Sequence, residues 1–256
     1  MLGRKPISLD RDRASIADNV FQAIREAILN GEFESGEWLR QAQLAEELDV
    51  SQTTVRDAFN KLIGEGLAVR VPYRGVRVVI LTPSDLEDIY AMRAVLEGMA
   101  AGIAAKHITE KELQEMWAIL PITYVNEDPA SVPVAREANR RFHEIFIEAS
   151  RRTYLIRTLH QLWDLIDPEM LYSRTIAAEI GKETRLTWGA YDQFHHTRIL
   201  ESLQAGDSEL ASQLVTEAVE NAWDNLAAII FEGKIFGKEH MEETGEKSQI
   251  EGRSAL

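Results

Sequence analysis

The 256-residue chain contains no cysteine. That absence removes disulfides and thiolate metal sites, leaves His and carboxylates as the candidate ligands, and fits a reducing compartment. No run approaches the roughly 18 consecutive apolar residues a membrane span needs, and the basic N-terminus is not followed by the apolar core of a signal peptide. A cytoplasmic protein without a membrane partner is therefore expected. A nucleophile motif, an HExxH pair and a phosphate-cradling glycine loop are also missing, which argues against an enzyme. Internal repeats and low-complexity runs are missing too. Positive charge is scarce: 28 Lys and Arg face 42 Asp and Glu, for a formal net charge of −14. Taken over the whole chain, this argues against a nucleic-acid partner. Its distribution changes the picture, because residues 1–80 carry 11 basic and 12 acidic side chains and the acidity lies beyond them.

Within that near-neutral stretch, Gln41 to Leu62 reads QAQLAEELDVSQTTVRDAFNKL. The spacing is that of a helix-turn-helix. Ala45 and Val55 are placed where two helices cross and only small side chains fit. Asp49 takes the turn, a position that needs φ > 0 and that Asp or Asn fills when Gly does not. Ser51 is placed to cap the second helix, so that Gln52, Thr53 and Arg56 project from its first turn. Upstream, Ser15 and Asp18 suggest a capping box opening a helix whose Ile16, Val20, Phe21, Ile24, Ala27 and Ile28 share one face, with a stop at Asn30-Gly31. Downstream, Leu67 to Val71 and Val76 to Ile80 are β-branched runs joined by Pro72-Tyr73-Arg74-Gly75, a hairpin signature. A hairpin directly after a recognition helix is a wing, with Arg74 and Gly75 at its tip, able to reach a minor groove or phosphates. The module spans residues 14–81 behind a flexible arm, 1–13.

These residues resemble the winged-helix domain of the GntR family of bacterial transcription regulators. The resemblance rests on Ile28-Leu29-Asn30-Gly31, Gly36 to Leu39 with Arg40, Leu44-Ala45, Val50-Ser51, Val55-Arg56-Asp57-Ala58, Leu62, Glu65-Gly66-Leu67 and Arg74-Gly75. It implies DNA contacts from Arg40, Gln52, Thr53, Thr54, Arg56 and Gly75. Two positions depart from the family pattern, since Arg is usual at 52 and Pro frequent at 54. Gln52 and Thr54 thus put a G-rich half-site in doubt, and a Gln amide matches adenine N7 and N6 instead, unless it meets only phosphate or water.

From Thr82 onward the pattern is all-helical. Thr82-Pro83 with Asp85 opens a helix to about Lys106, and Thr109 with Glu112 opens the next. A loop is expected at Asn126 to Pro129, then helices at Val132 to Ser150, Thr153 to Asp167, Pro168 to Ile180, Tyr191 to Gln204 and Ser208 to Phe231. The last two are divided by Gly206, suited to a left-handed turn, and Asp207, suited to an N-cap. Six or seven helices would form an antiparallel bundle over residues 82–232, followed by a polar tail, 233–256. The fold class is mainly α, a winged helix-turn-helix followed by a helical bundle.

This bundle resembles the FCD effector domain of FadR-type members of the same family. Its marks are Asp88-Ile89-Tyr90, Arg93, Leu96-Glu97, Asn139, Phe142-His143, His196, Ile199-Leu200, Leu203 and Gly206-Asp207. Many such domains hold a divalent metal with an Asp, a His four residues later, a His like His196 and a last His some 22 residues beyond. Here those places hold Asn139, His143, His196 and Ala218. Two imidazoles and a neutral amide do not offset a cation's charge, so a metal-free pocket is favoured over zinc, nickel or manganese. An anionic effector such as an organic acid would take hydrogen bonds from His143 and His196 and a bidentate fork from Arg93, unless Arg93 only pairs with Glu97 at i+4. An enzyme built on His143 as base and Asp192 as orienting group beside His195-His196 is the weakest reading. Trp117, Trp163, Trp188 and Trp223 are expected in the core or at an interface. Together the residues describe a homodimeric repressor that binds a palindromic double-stranded operator and responds to a small molecule.

Overall fold

The computed structural model describes residues 11–29, 31–123, 131–166 and 194–231. The chain divides into two compact units, Met1–Ile80 and Leu81–Leu256. Among the described residues there are nine α-helices and one small sheet.

In the first unit, α1 spans Arg11–Leu29, α2 Gln41–Glu47 and α3 Gln52–Gly64. The apolar face of α1, with Val20, Phe21, Ile24 and Ile28, is buried along with Val55, Ala58, Phe59 and Leu62 of α3. These positions recur every three or four residues, so each helix turns one stripe inward, and α1 packs on α3. Ala45 and Val55 are buried as the crossing requires, and Asp49 takes φ 51° in the turn between α2 and α3. The opening of α1 differs from the expected one. The helix already runs at Arg11, so Ser15 lies inside it and not at an N-cap. Asp18 does not cap; its carboxylate meets the Lys61 ammonium on α3. Arg11 to Ala14 contain no breaker, and nothing stops the helix from continuing backwards past Ser15.

The hairpin forms from β2, Ala68–Val71, and β3, Gly75–Val78, with Val71 opposite Gly75. A further strand, β1 at Trp38–Leu39, pairs on the other side of β3, giving the order β1-β3-β2. Two residues are too few to show a strand period, which is why β1 was not foreseen.

The second unit is helical throughout its described residues. Thr82 and Asp85 form the capping box of α4, Pro83–Ala104, and Thr109 and Glu112 that of α5, Glu110–Ile119. A 3₁₀ turn, Leu120–Ile122, follows. Then come α6, Ser131–Ala149, and α7, Thr153–Leu165, with residues 194–204 as α8 and Ser208–Phe231 as α9. Gly206 turns the chain at φ 70°, and Asp207 Oδ1 accepts from Leu210 N at 3.0 Å, capping α9. The loop expected at 126–129, the helix at 168–180, the stretch 181–188 and the tail 233–256 lie outside the described residues. Phe142, Ile145 and Phe146 of α6, Met116 of α5, Leu159 of α7, Ile199 of α8 and Val215 of α9 fill the core.

α4 and α9 make the most extensive pairing in this unit, and two glycines permit it. A Cβ on Gly98 would stand 2.2 Å from Thr216 Oγ1 and 3.0 Å from the Ser212 carbonyl oxygen, and one on Gly102 would meet the Ser208 carbonyl oxygen at 3.0 Å. The Thr216 hydroxyl cannot simply retreat, since it bridges Ala94 O at 3.2 Å and Ser212 O at 3.0 Å. Gly98→Ala is therefore expected to lower the unfolding free energy by about 1–3 kcal/mol in urea titrations, the usual cost of overpacking. Gly64→Ala, where a Cβ meets nothing within 4 Å, should be neutral or stabilising.

Candidate nucleic-acid interface and polar cluster

The first turn of α3 is held by its cap. Ser51 adopts an extended backbone, φ −72° and ψ 148°, and its Oγ accepts from Thr54 N at 3.1 Å. Gln41 Nε2 donates to the Gln52 carbonyl at 2.9 Å, tying the start of α2 to the start of α3. Gln52 and Arg56 are exposed and Thr53 half-buried, so three side chains leave the helix on its solvent side. Thr54 does not join them. It is 6% exposed, and its hydroxyl lies 2.8 Å from Ser51 Oγ, where it takes part in the cap.

Arg40 sits exposed at the N-cap of α2, and Arg74 and Gly75 are exposed at the wing tip. Among the described residues no carboxylate pairs with Arg40, Arg56 or Arg74, which leaves three cations available on a unit of near-zero net charge. Arg70 is engaged, donating to Asn60 Oδ1 at 2.8 Å. One exposed wing residue was not singled out from the sequence. Tyr73 has a relative exposure of 108% and a backbone φ of 63°. Its signal was partial: Pro72 suits the second position of type I and type II turns alike, and the left-handed third position at Tyr73 comes from the structure.

In the second unit, α4 carries Arg93 and Glu97 one turn apart, and both are buried. Arg93 Nε donates to Glu97 Oε1 at 2.8 Å, and His143 Nδ1 of α6 lies 2.6 Å from Glu97 Oε2. The guanidinium also lies 3.9 Å over the ring of Trp163 on α7. Burial pushes the Glu97 carboxyl upward, but the Arg93 charge, His143 and the hydrogen bonds from both outweigh it and hold the group below the usual carboxylate range. An ionised Glu97 accepts the His143 Nδ1 proton.

His196 of α8 lies beside this group, its ring centroid 5.6 Å from that of His143 and 4.6 Å from that of Phe142. Its Nδ1 is 3.2 Å from Thr123 Oγ1, whose own proton goes to the Leu120 carbonyl at 2.9 Å. The hydroxyl can then only accept, so Nδ1 donates and Nε2 of the neutral ring keeps a lone pair. Desolvation first, then the neighbouring His143 and His195, hold His196 well below its ordinary value of 6.5, so the ring is neutral at pH 7. Trp163 Nε1, buried in the same cluster, has no hydrogen-bond acceptor among the described residues.

Comparison with known proteins matches both units. The pattern of the FCD domain covers residues 88–221, and that of the gntR family of bacterial regulatory proteins covers residues 16–78. The chain belongs to the GntR family. It is similar to the uncharacterized HTH-type transcriptional regulator YdhC of Bacillus subtilis, 27% identical over 216 residues, covering 84% of this chain and 92% of that protein. It is also similar to a probable D-xylose utilization operon transcriptional repressor of Paenarthrobacter nicotinovorans, 29% identical over 81% of this chain and 87% of that one. Among solved structures, Escherichia coli McbR/YncC shares the fold at a TM-score of 0.66 and 23% identity, over 83% of this chain and 97% of that one. GntR regulators of this kind are transcription factors, and among the described residues no helix is long and apolar enough to cross a membrane.

The metal that the FCD resemblance implies does not fit these residues. Asn139 offers a neutral amide and Ala218 no ligand, and the one carboxylate in the cluster, Glu97, is already matched by Arg93. Among the described residues no group of three His, Asp or Glu is placed to hold an ion. Arg93, His143 and His196 do come together, joined by Glu97, which the sequence offered as a mark of the FCD resemblance and as a possible partner of Arg93. Asn139 is half-buried on α6, one turn before His143. Asp192, invoked for the enzyme reading, lies outside the described residues, while Trp163 is buried and Trp117 is 40% exposed.

The buried neutral His196 gives this regulator a defined pH response. Its folded pKa is depressed, so the unfolded chain takes up a proton below 6.5 that the folded chain does not, and the stability present above pH 6.5 is lost as pH falls. The slope contributed by one such group cannot exceed about 1.4 kcal/mol per pH unit. Urea unfolding of the helical unit at a series of pH values should show this loss from pH 6.5 down to about 5, where the carboxylates take over. His196→Leu should flatten that interval.

Proposed function

We propose that this GntR regulator represses transcription as a homodimer, each winged helix reading one half of an inverted-repeat operator, and that a small hydroxylated metabolite releases it. The observation that carries the DNA reading is the capped start of α3. It presents Gln52, Thr53 and Arg56 to solvent, with unpaired Arg40 and Arg74 alongside to meet phosphates. Binding relies on few cations per chain, so two half-sites engaged together supply the affinity.

Chemistry in the buried cluster favours hydroxyl groups over the carboxylate expected from the sequence. His196 keeps an Nε2 lone pair and so accepts, the Arg93 charge is already balanced by Glu97, and the Trp163 N–H lacks an acceptor among the described residues. A hydroxyl both donates and accepts and suits this set, whereas a carboxylate only accepts. The Paenarthrobacter relative is described as a probable D-xylose utilization operon transcriptional repressor, and D-xylose is rich in hydroxyls.

In mobility-shift titrations, duplexes bearing an inverted repeat with half-sites about one helical turn apart should bind, and Arg56→Ala should abolish the shift. Unchanged binding by Arg56→Ala at moderate salt would remove the recognition-helix assignment. Operator selection should place an A·T pair where Gln52 reads, discriminating by roughly 1–3 kcal/mol, and Gln52→Arg should move that position alone toward G·C.

The effector reading has its own test, in which aldoses, polyols and aldonates are titrated against the protein–operator complex beside acetate and succinate. Release and a raised thermal midpoint with a hydroxylated compound, both lost in His196→Leu, are expected. The same response to succinate would restore the anionic ligand.

A further inference from the structure

The wing tip holds a residue that its own fold does not want. Val71 to Arg74 is a turn closed by Arg74 N donating to Val71 O at 3.1 Å, with Pro72 at its second position and Tyr73, φ 63°, at its third. Gly or Asn normally takes that third position because a Cβ meets the backbone in the left-handed region. Tyrosine brings a large ring as well, and the structure gives that ring nothing to touch, since its exposure of 108% is that of a side chain free on all sides. Neither the strain nor the exposed ring contributes to this unit's stability. Residues held this way gather where a partner will be met.

The geometry points to the minor groove beside each half-site as that partner, and we propose that Tyr73 is a DNA-reading residue whose ring wedges into it. This rests on the DNA-binding reading above. With the start of α3 in the major groove, a hairpin following α3 reaches the adjacent minor groove, about 6 Å wide and able to admit an aromatic ring edge-on. Arg74, exposed and without a carboxylate partner, is next in the chain and suits the negative potential of a narrow A·T groove. Gly75 follows at φ 119° with open space around its Cα, letting the backbone close on the phosphates. Insertion disfavours the guanine 2-amino group, which projects into the minor groove, so Tyr73 selects flanking pairs that lack it.

Inosine makes the test specific, because an I·C pair offers the minor groove of A·T and nearly the major groove of G·C. Binding of the full-length protein is measured by fluorescence anisotropy on one operator with A·T, I·C or G·C flanks. Wild type should bind the A·T and I·C flanks roughly tenfold more tightly than G·C, and Tyr73→Gly should bind all three alike at about the G·C level. Tyr73→Phe should keep the preference, since the ring is the wedge. The thermal midpoint of Tyr73→Gly should be unchanged or raised, because glycine relieves the strained turn. Unaltered affinity and flank preference in Tyr73→Gly would overturn the proposal, as would loss of binding together with a lowered midpoint, which would make Tyr73 structural. Arg56→Ala on the same duplexes separates the two readings: retained binding there removes the DNA interface itself, whereas its loss beside a neutral Tyr73→Gly removes only the wedge.

Discussion

A carboxylate with no solvent exposure must be answered by positive charge and hydrogen bonds from its surroundings, and Glu97 imposes that condition on the helical unit. Its two oxygens are met by Arg93 from the same helix and His143 from α6, and the Arg93 plane lies against Trp163 from α7. Three helices are thereby held in one relation, and removing a single partner would leave a buried charge unbalanced at a cost of about 3–5 kcal/mol. The same arrangement decides what the cluster can recognise. Arg93 is consumed by Glu97, His143 directs Nδ1 at the same carboxylate, and Thr123 fixes the neutral His196 in the tautomer that leaves Nε2 an acceptor. A site that resembles a metal centre in sequence thus holds a carboxylate already matched by Arg93 and His143, beside an acceptor on His196 and an indole donor with no partner among the described residues.

The winged-helix unit meets a different constraint, recognition of a polyanion without net positive charge. It does so by position. Ser51, Thr54 and Gln41 are spent on fixing the start of α3, which leaves Gln52 and Arg56 clear of internal partners. Lys61 is paired with Asp18, whereas Arg40, Arg56 and Arg74 have no carboxylate partner among the described residues. The small side chains Ala45 and Val55 permit the helix crossing, while the αL turn at Asp49 sets its angle.

Features encoded over a few neighbouring residues were readable before the structure. The capping boxes at Thr82 and Thr109, the turn at Asp49, the hairpin after α3 and the Gly206-Asp207 break all depend on local backbone chemistry, and each stands where the spacing put it. Other local signals misled. Ser15 and Asp18 carry a capping pattern, but α1 already runs at Arg11, since Arg11 to Ala14 contain nothing that stops it. Strand β1 has two residues and exists only because β3 offers an open edge, so no local pattern announces it.

The sequence by itself determined the two-part organisation, the helical class of the second unit, the recognition helix with Gln52 and Arg56 at its start, and the approximate membership of the polar cluster. Tertiary structure alone decided how those residues are used. It turned Thr54 into the cap, lodged Glu97 between Arg93 and His143, set the tautomer of His196 through Thr123, and left Tyr73 standing free on a left-handed turn. The reason is physical. Helix periodicity and capping are settled by side chains within a turn or two of one another, whereas the charge state, proton position and exposure of a group depend on partners dozens of residues away, such as Glu97 for His143 and Thr123 for His196.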